Sequence, residues 1–137
     1  MISQLANLNW LSVAIAFVVY CVLGGLWFTL FFSKPYKASL GKANETLPNA
    51  PIFIVGPMIC TLVITLASAI LVYALNITTL SGAIELSLLV GIGFLTANTV
   101  NIAINPNIPH PILYGVISST YHLVCITLVN VILVLMR

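Results

Sequence analysis

Charge is what this sequence has least of. Four basic and two acidic residues are all it carries in 137, or 4% of the chain, where soluble domains carry about 25%. A surface so poor in groups that water solvates cannot be kept in water, which excludes a soluble enzyme and a disordered chain. The net charge of +2 is too small for the electrostatic footprint of a nucleic-acid binder. Cysteine is scarce as well. Cys21, Cys60 and Cys125 all fall in apolar stretches with no Cys-x-x-Cys spacing, and they read as small buried hydrophobes rather than as a redox or metal site.

Apolar sequence takes the place of charge. Hydrophobic residues make up 61% of the chain, and the mean hydropathy is +1.21. Crossing a hydrocarbon layer of about 30 Å takes roughly 20 consecutive apolar residues as a helix. Four runs are that long: Trp10–Phe32, Ile52–Leu75, Ala83–Ile104 and Ile112–Met136. None alternates as a membrane strand does. The first lacks a basic flank and a small-residue cleavage site, so it is expected to stay in the mature protein rather than act as a signal peptide. The fold expected is all-α: one domain over residues 1–137, an antiparallel bundle of four transmembrane helices near 10–32, 52–75, 83–104 and 112–136. Its solvent and first partner is the lipid bilayer.

The few charges orient the bundle. Lys34, Lys37, Lys42 and Glu45 share the first connection, 33–50. Basic residues of short loops stay on the cytoplasmic side, so this loop is expected there and both termini outside. Arg137 weakly opposes that assignment. Six of the seven prolines lie between the runs or at their edges, and only Pro57 enters one.

Polar residues at membrane depth are functional candidates by default. Counting about 1.5 Å per residue, His122 falls near the midplane, with Tyr20, Cys21 and Thr61 at similar depth. Asn98 approaches that level and shares a helix face with Asn101 and Asn105. These residues suggest one polar layer, open to three readings. It holds the helices in register through hydrogen bonds, it lines a path for a polar ligand, proton or ion, or its histidine ligates haem or metal across a dimer. The first reading is favoured, and no metal or cofactor is expected. Glu85 sits at a helix entrance and reads as a solvated interfacial acid, so the bilayer interior is left without a carboxylate. No nucleophile–base–acid set or phosphate loop is visible, which argues against an enzyme. Gly24, Gly25, Gly115 and Ser119 offer small surfaces where helices can approach closely, within the chain or between copies.

Several local patterns occur in order: Asn9-Trp10, Gly24-Gly25-Leu26-Trp27-Phe28, Lys34-Pro35-Tyr36-Lys37, Leu40-Gly41, Gly93-Phe94 and Tyr121-His122-Leu123-Val124. Their order and spacing resemble the bacterial membrane family catalogued as domain of unknown function 1761, over nearly the whole chain. That family often has Trp at the place of Tyr36, and Gly-Tyr-His where this chain reads Thr120-Tyr121-His122. The resemblance implies a compact four-helix protein of a bacterial inner membrane and no particular activity. It also draws attention to Trp27 and to Tyr121 beside His122. Two functions are carried forward: a non-enzymatic scaffold or accessory subunit, alone, as a homodimer or in a larger membrane complex, and a small transporter or channel lined by Tyr20, Thr61, Asn98, Asn101, Tyr121 and His122.

Overall fold

The computed structural model describes all 137 residues and is entirely helical. Four helices are long and apolar enough to cross a membrane: Trp10–Phe31, Ile52–Ala74, Leu80–Ala103 and Pro111–Leu135, hereafter the first to fourth spans. Their ends follow from local chemistry. Asn9 caps the first span, its side chain accepting from the N–H groups of Leu11 at 3.1 Å and Ser12 at 3.3 Å. Thr79 caps the third by accepting from the Gly82 N–H at 3.2 Å. That cap starts the helix at Leu80, ahead of the apolar run expected from Ala83. Pro111 opens the fourth span at a position where its missing N–H costs nothing.

The first connection is less plain than its composition implies. It contains a short helix, Ser33–Ser39, which holds Lys34 and Lys37 and is called the lysine helix below. Pro35 is accommodated because it falls in the first turn, where no N–H has a helical acceptor. Two of the spans also widen locally. The first ends in a π-helical turn over Trp27–Phe31, and the third is π-helical over Gly91–Thr96.

Packing follows the rule for lipid rather than for water. Leu, Ile and Val crowd the outer faces, while small and hydroxyl side chains share the contacts with larger ones such as Tyr20, Ile126 and Leu133. The second span buries Thr61, Thr65, Ser68, Ala69 and Val72 at helical spacing. Lipid is as apolar as leucine, so helices associate through close backbone approach and hydrogen bonds instead of hydrophobic exclusion. The fourth span is the hub: half of its most apolar window is buried, against 22% for each of the others.

Hydrogen bonds tie opposite ends of neighbouring spans. Asn9 Nδ2, at the start of the first span, donates to the Met136 carbonyl just past the end of the fourth, at 2.6 Å. The Asn9 backbone N–H donates to the Tyr73 hydroxyl at the end of the second, at 3.1 Å. At the opposite end of the protein, Trp27 Nε1 donates to the Ile117 carbonyl at 3.2 Å. Arg137 closes the Asn9 end: it donates to Asn76 Oδ1 and the Ile77 carbonyl and lies 4.7 Å over the Tyr73 ring.

Candidate functional site

The sequence candidates do not gather into one layer. Tyr20 and His122 do meet: the Tyr20 hydroxyl lies 3.0 Å from His122 Nδ1. Tyr20 is fully buried and His122 half-buried. Tyr121 packs beside them, its ring 5.7 Å from Tyr20 and 4.9 Å from His122. Trp27 and Phe28 close over Tyr121, with Phe28 edge-on at 5.0 Å. The result is an aromatic cluster shared by the first and fourth spans. Tilted and edge-on rings, with a hydroxyl–imidazole bond among them, make it a cohesive joint in lipid.

Thr61 belongs to a different contact. Its hydroxyl donates to the Met58 carbonyl at 2.9 Å and faces Cys21 Sγ at 3.5 Å, joining the first and second spans. Asn98 and Asn101 join neither group. Both are exposed on the third span, and neither side chain makes a hydrogen bond within the chain. Depth placed Asn98 near the level of His122, with Asn101 on the same helix face, but the direction in which both leave the helix separates them from it. No three His, Cys, Asp or Glu side chains converge as metal ligands.

The small residues divide in the same way. A Cβ on Gly24 would lie 2.5 Å from the Tyr121 hydroxyl, so this glycine is what lets Tyr121 enter the cluster. Gly115 of the fourth span faces Val100 and Ala103 of the third, where a Cβ would make ordinary contact at 3.6 and 3.7 Å. Ser119 is buried one turn on, its hydroxyl without a partner. A Cβ on Gly25 would meet nothing within 4 Å, and this glycine faces outward.

Two contacts were not expected from the sequence. Asn130 Nδ2 donates to Ser87 Oγ at 2.9 Å, and Ser87 also donates to the Ala83 carbonyl at 2.6 Å. Both residues are fully buried between the third and fourth spans. Ser87 lies seven residues from the start of the third span and Asn130 five from the end of the fourth, and these similar distances were the available signal. The second contact lies at the lysine helix, where the Tyr36 ring sits 5.8 Å from Tyr114. Burial, with Tyr114 alongside, pushes the Tyr36 phenol up to about 12.

Four apolar spans joined by buried hydroxyl, amide and aromatic contacts define a multi-pass, all-α membrane protein. The chain belongs to the family described as "Protein of unknown function (DUF1761)", which it matches over residues 11–134. No curated protein and no solved structure matches it.

Proposed function

We propose that this chain is a non-enzymatic scaffold or accessory subunit of a bacterial inner membrane. The observation that carries this reading is the Tyr20–His122 hydrogen bond within the Trp27, Phe28 and Tyr121 cluster. The deepest polar pair acts as a joint between two spans and stands apart from Asn98 and Asn101. Those two amides are polar groups left on the outer face of the third span. A primary amide both donates and accepts, so the same face of a second copy can satisfy them across a twofold axis. On this reading the functional unit is a homodimer.

Orientation belongs to the same reading. Lys34, Lys37 and Lys42 lie at the end opposite Arg137, so the 33–50 connection is cytoplasmic and both termini are outside. Fusions at each terminus test this: alkaline phosphatase is active at both, and a fluorescent protein that matures only in the cytoplasm is dark at both.

The competing transporter or channel has one observation in its favour. His122 is half-buried, and its Nε2 makes no hydrogen bond within the chain. Purified protein in proteoliposomes separates the two. The scaffold reading expects His122→Ala to lower the melting temperature in detergent and leave proton and ion flux at the level of empty vesicles for both variants. A flux that the wild type supports and His122→Ala abolishes would establish the path instead. Asn98→Cys should cross-link between copies in membranes; its failure to do so removes the dimer.

A further inference from the structure

The lysine helix does not float beside the bundle. It is docked onto the start of the fourth span at three points. The His110 N–H donates to the Ser39 carbonyl at 3.2 Å. Gly41 has φ +70°, and a Cβ there would lie 3.1 Å from the Pro109 ring. The Tyr36 and Tyr114 rings pack together. The chain then turns back on itself, with the Lys42 N–H donating to the Lys37 carbonyl at 2.9 Å. The backbone that carries Lys37 and Lys42 is therefore held beside Pro109 and His110 at the start of the fourth span, with Lys34 one turn away on the same short helix. Only Glu45, exposed, offsets them at this end, because Glu85 lies in the opposite half of the third span.

An apolar groove starts at the same place. Its mouth is Pro109 and His110, and it continues as two adjoining hollows of about 480 and 310 Å³ that share Pro111, Ile112 and Val116. It runs up the fourth span to Ser119 and Thr120, with Thr96 and Val100 of the third span as its far wall. Gly115 deepens the groove by having no side chain. Ile112 and Val116 are 82% and 58% exposed, so its rim is open to the bilayer.

We propose that this groove holds one anionic phospholipid. The phosphate sits against Lys37, Lys42 and the His110 imidazole, and one acyl chain lies along Ile112 and Val116 towards Ser119. Cations at a membrane boundary attract acidic headgroups, while an open apolar channel in the hydrocarbon layer accepts a chain and no soluble anion. Charge at the mouth and the groove behind it select together for a ligand with both parts. A zwitterionic lipid fits the groove without the charge, and free phosphate fits the charge without the groove.

Native mass spectrometry of the full chain in mild detergent tests this, titrating phosphatidylglycerol, phosphatidylcholine and inorganic phosphate. One phosphatidylglycerol is expected to bind at least tenfold more tightly than phosphatidylcholine, with the preference shrinking as salt rises. K37Q together with K42Q should bring the two lipids to near parity. Val116→Trp should weaken both, and Ile112→Trp serves as a second groove-filling variant on a still more exposed position. Thermal melts verify that each variant is folded. Equal binding of the two lipids by the wild type overturns the proposal. So does binding undiminished by either tryptophan, or displacement of the lipid by inorganic phosphate at equal concentration.

Discussion

The Tyr20 hydroxyl and His122 Nδ1 stand 3.0 Å apart, joining spans whose residues are 102 positions apart in the chain. Hydrogen bonds between membrane helices contribute about 0.6–2 kcal/mol each. Tyr20→Phe keeps the ring packing and removes only the hydroxyl. It should lower stability by about 1 kcal/mol, read from thermal unfolding in detergent, because His122 then keeps an unpartnered nitrogen. An unchanged melting curve would show that the pair contributes nothing to the fold.

Gly24 and Gly25 are adjacent and face opposite constraints. A methyl at Gly24 meets the Tyr121 hydroxyl, which the surrounding rings hold in place, whereas Gly25 has free space. Gly24→Ala should cost about 1–3 kcal/mol through overpacking. Gly25→Ala should be neutral or slightly stabilising, since alanine is the better helix former. The same melting assay compares them. Equal effects from the two would contradict the close approach of Tyr121.

Ser87 and Asn130 form a fully buried side-chain pair. Asn130 Oδ1 accepts no bond, so the pair is only partly satisfied. A double-mutant cycle with Ser87→Ala and Asn130→Leu should give a coupling energy of about 0.6–1.7 kcal/mol. Additive effects would mean that each residue acts through packing alone.

Tyr36 sets a pH dependence at the membrane boundary. Burial pushes its phenol up from its ordinary value of 10.0 to about 12 in the folded protein. Between those values the folded state binds more protons than the unfolded state. The stability that comes from the neutral phenol is therefore complete below pH 10 and is lost as pH rises towards 12. Ultraviolet titration of tyrosinate absorbance should show a late-ionising phenol that Tyr36→Phe removes. A tyrosinate curve identical in the two proteins would count against the buried position.

The spans are legible in the sequence because bilayer thickness is a length and apolar runs measure it directly. The first span begins at Trp10, where the apolar run begins, with Asn9 as its N-cap. The third begins earlier than its run because a cap, unlike hydropathy, acts on the backbone at Thr79. The lysine helix was not legible at all. Seven residues containing a proline carry no periodic signal, and docking onto Tyr114 and His110 is a tertiary event.

Counting residues yields the depth of a side chain in the membrane and nothing about its direction around the helix axis. That is why His122 and Tyr20 found each other while Asn98, at a neighbouring level, ended on the outside. The π-helical segment Gly91–Thr96 adds to the effect, because each widened turn rotates every residue after it relative to a regular helix. Scarcity of charge decided the solvent and the absence of a carboxylate at the bilayer centre, and the apolar runs decided the number of spans. Which neutral groups pair there depended on helix rotation and on close approach, at Gly24 to Tyr121 and at Gly91 to Leu123 and Ile126. Those are properties of several spans at once, and no single stretch of sequence encodes them.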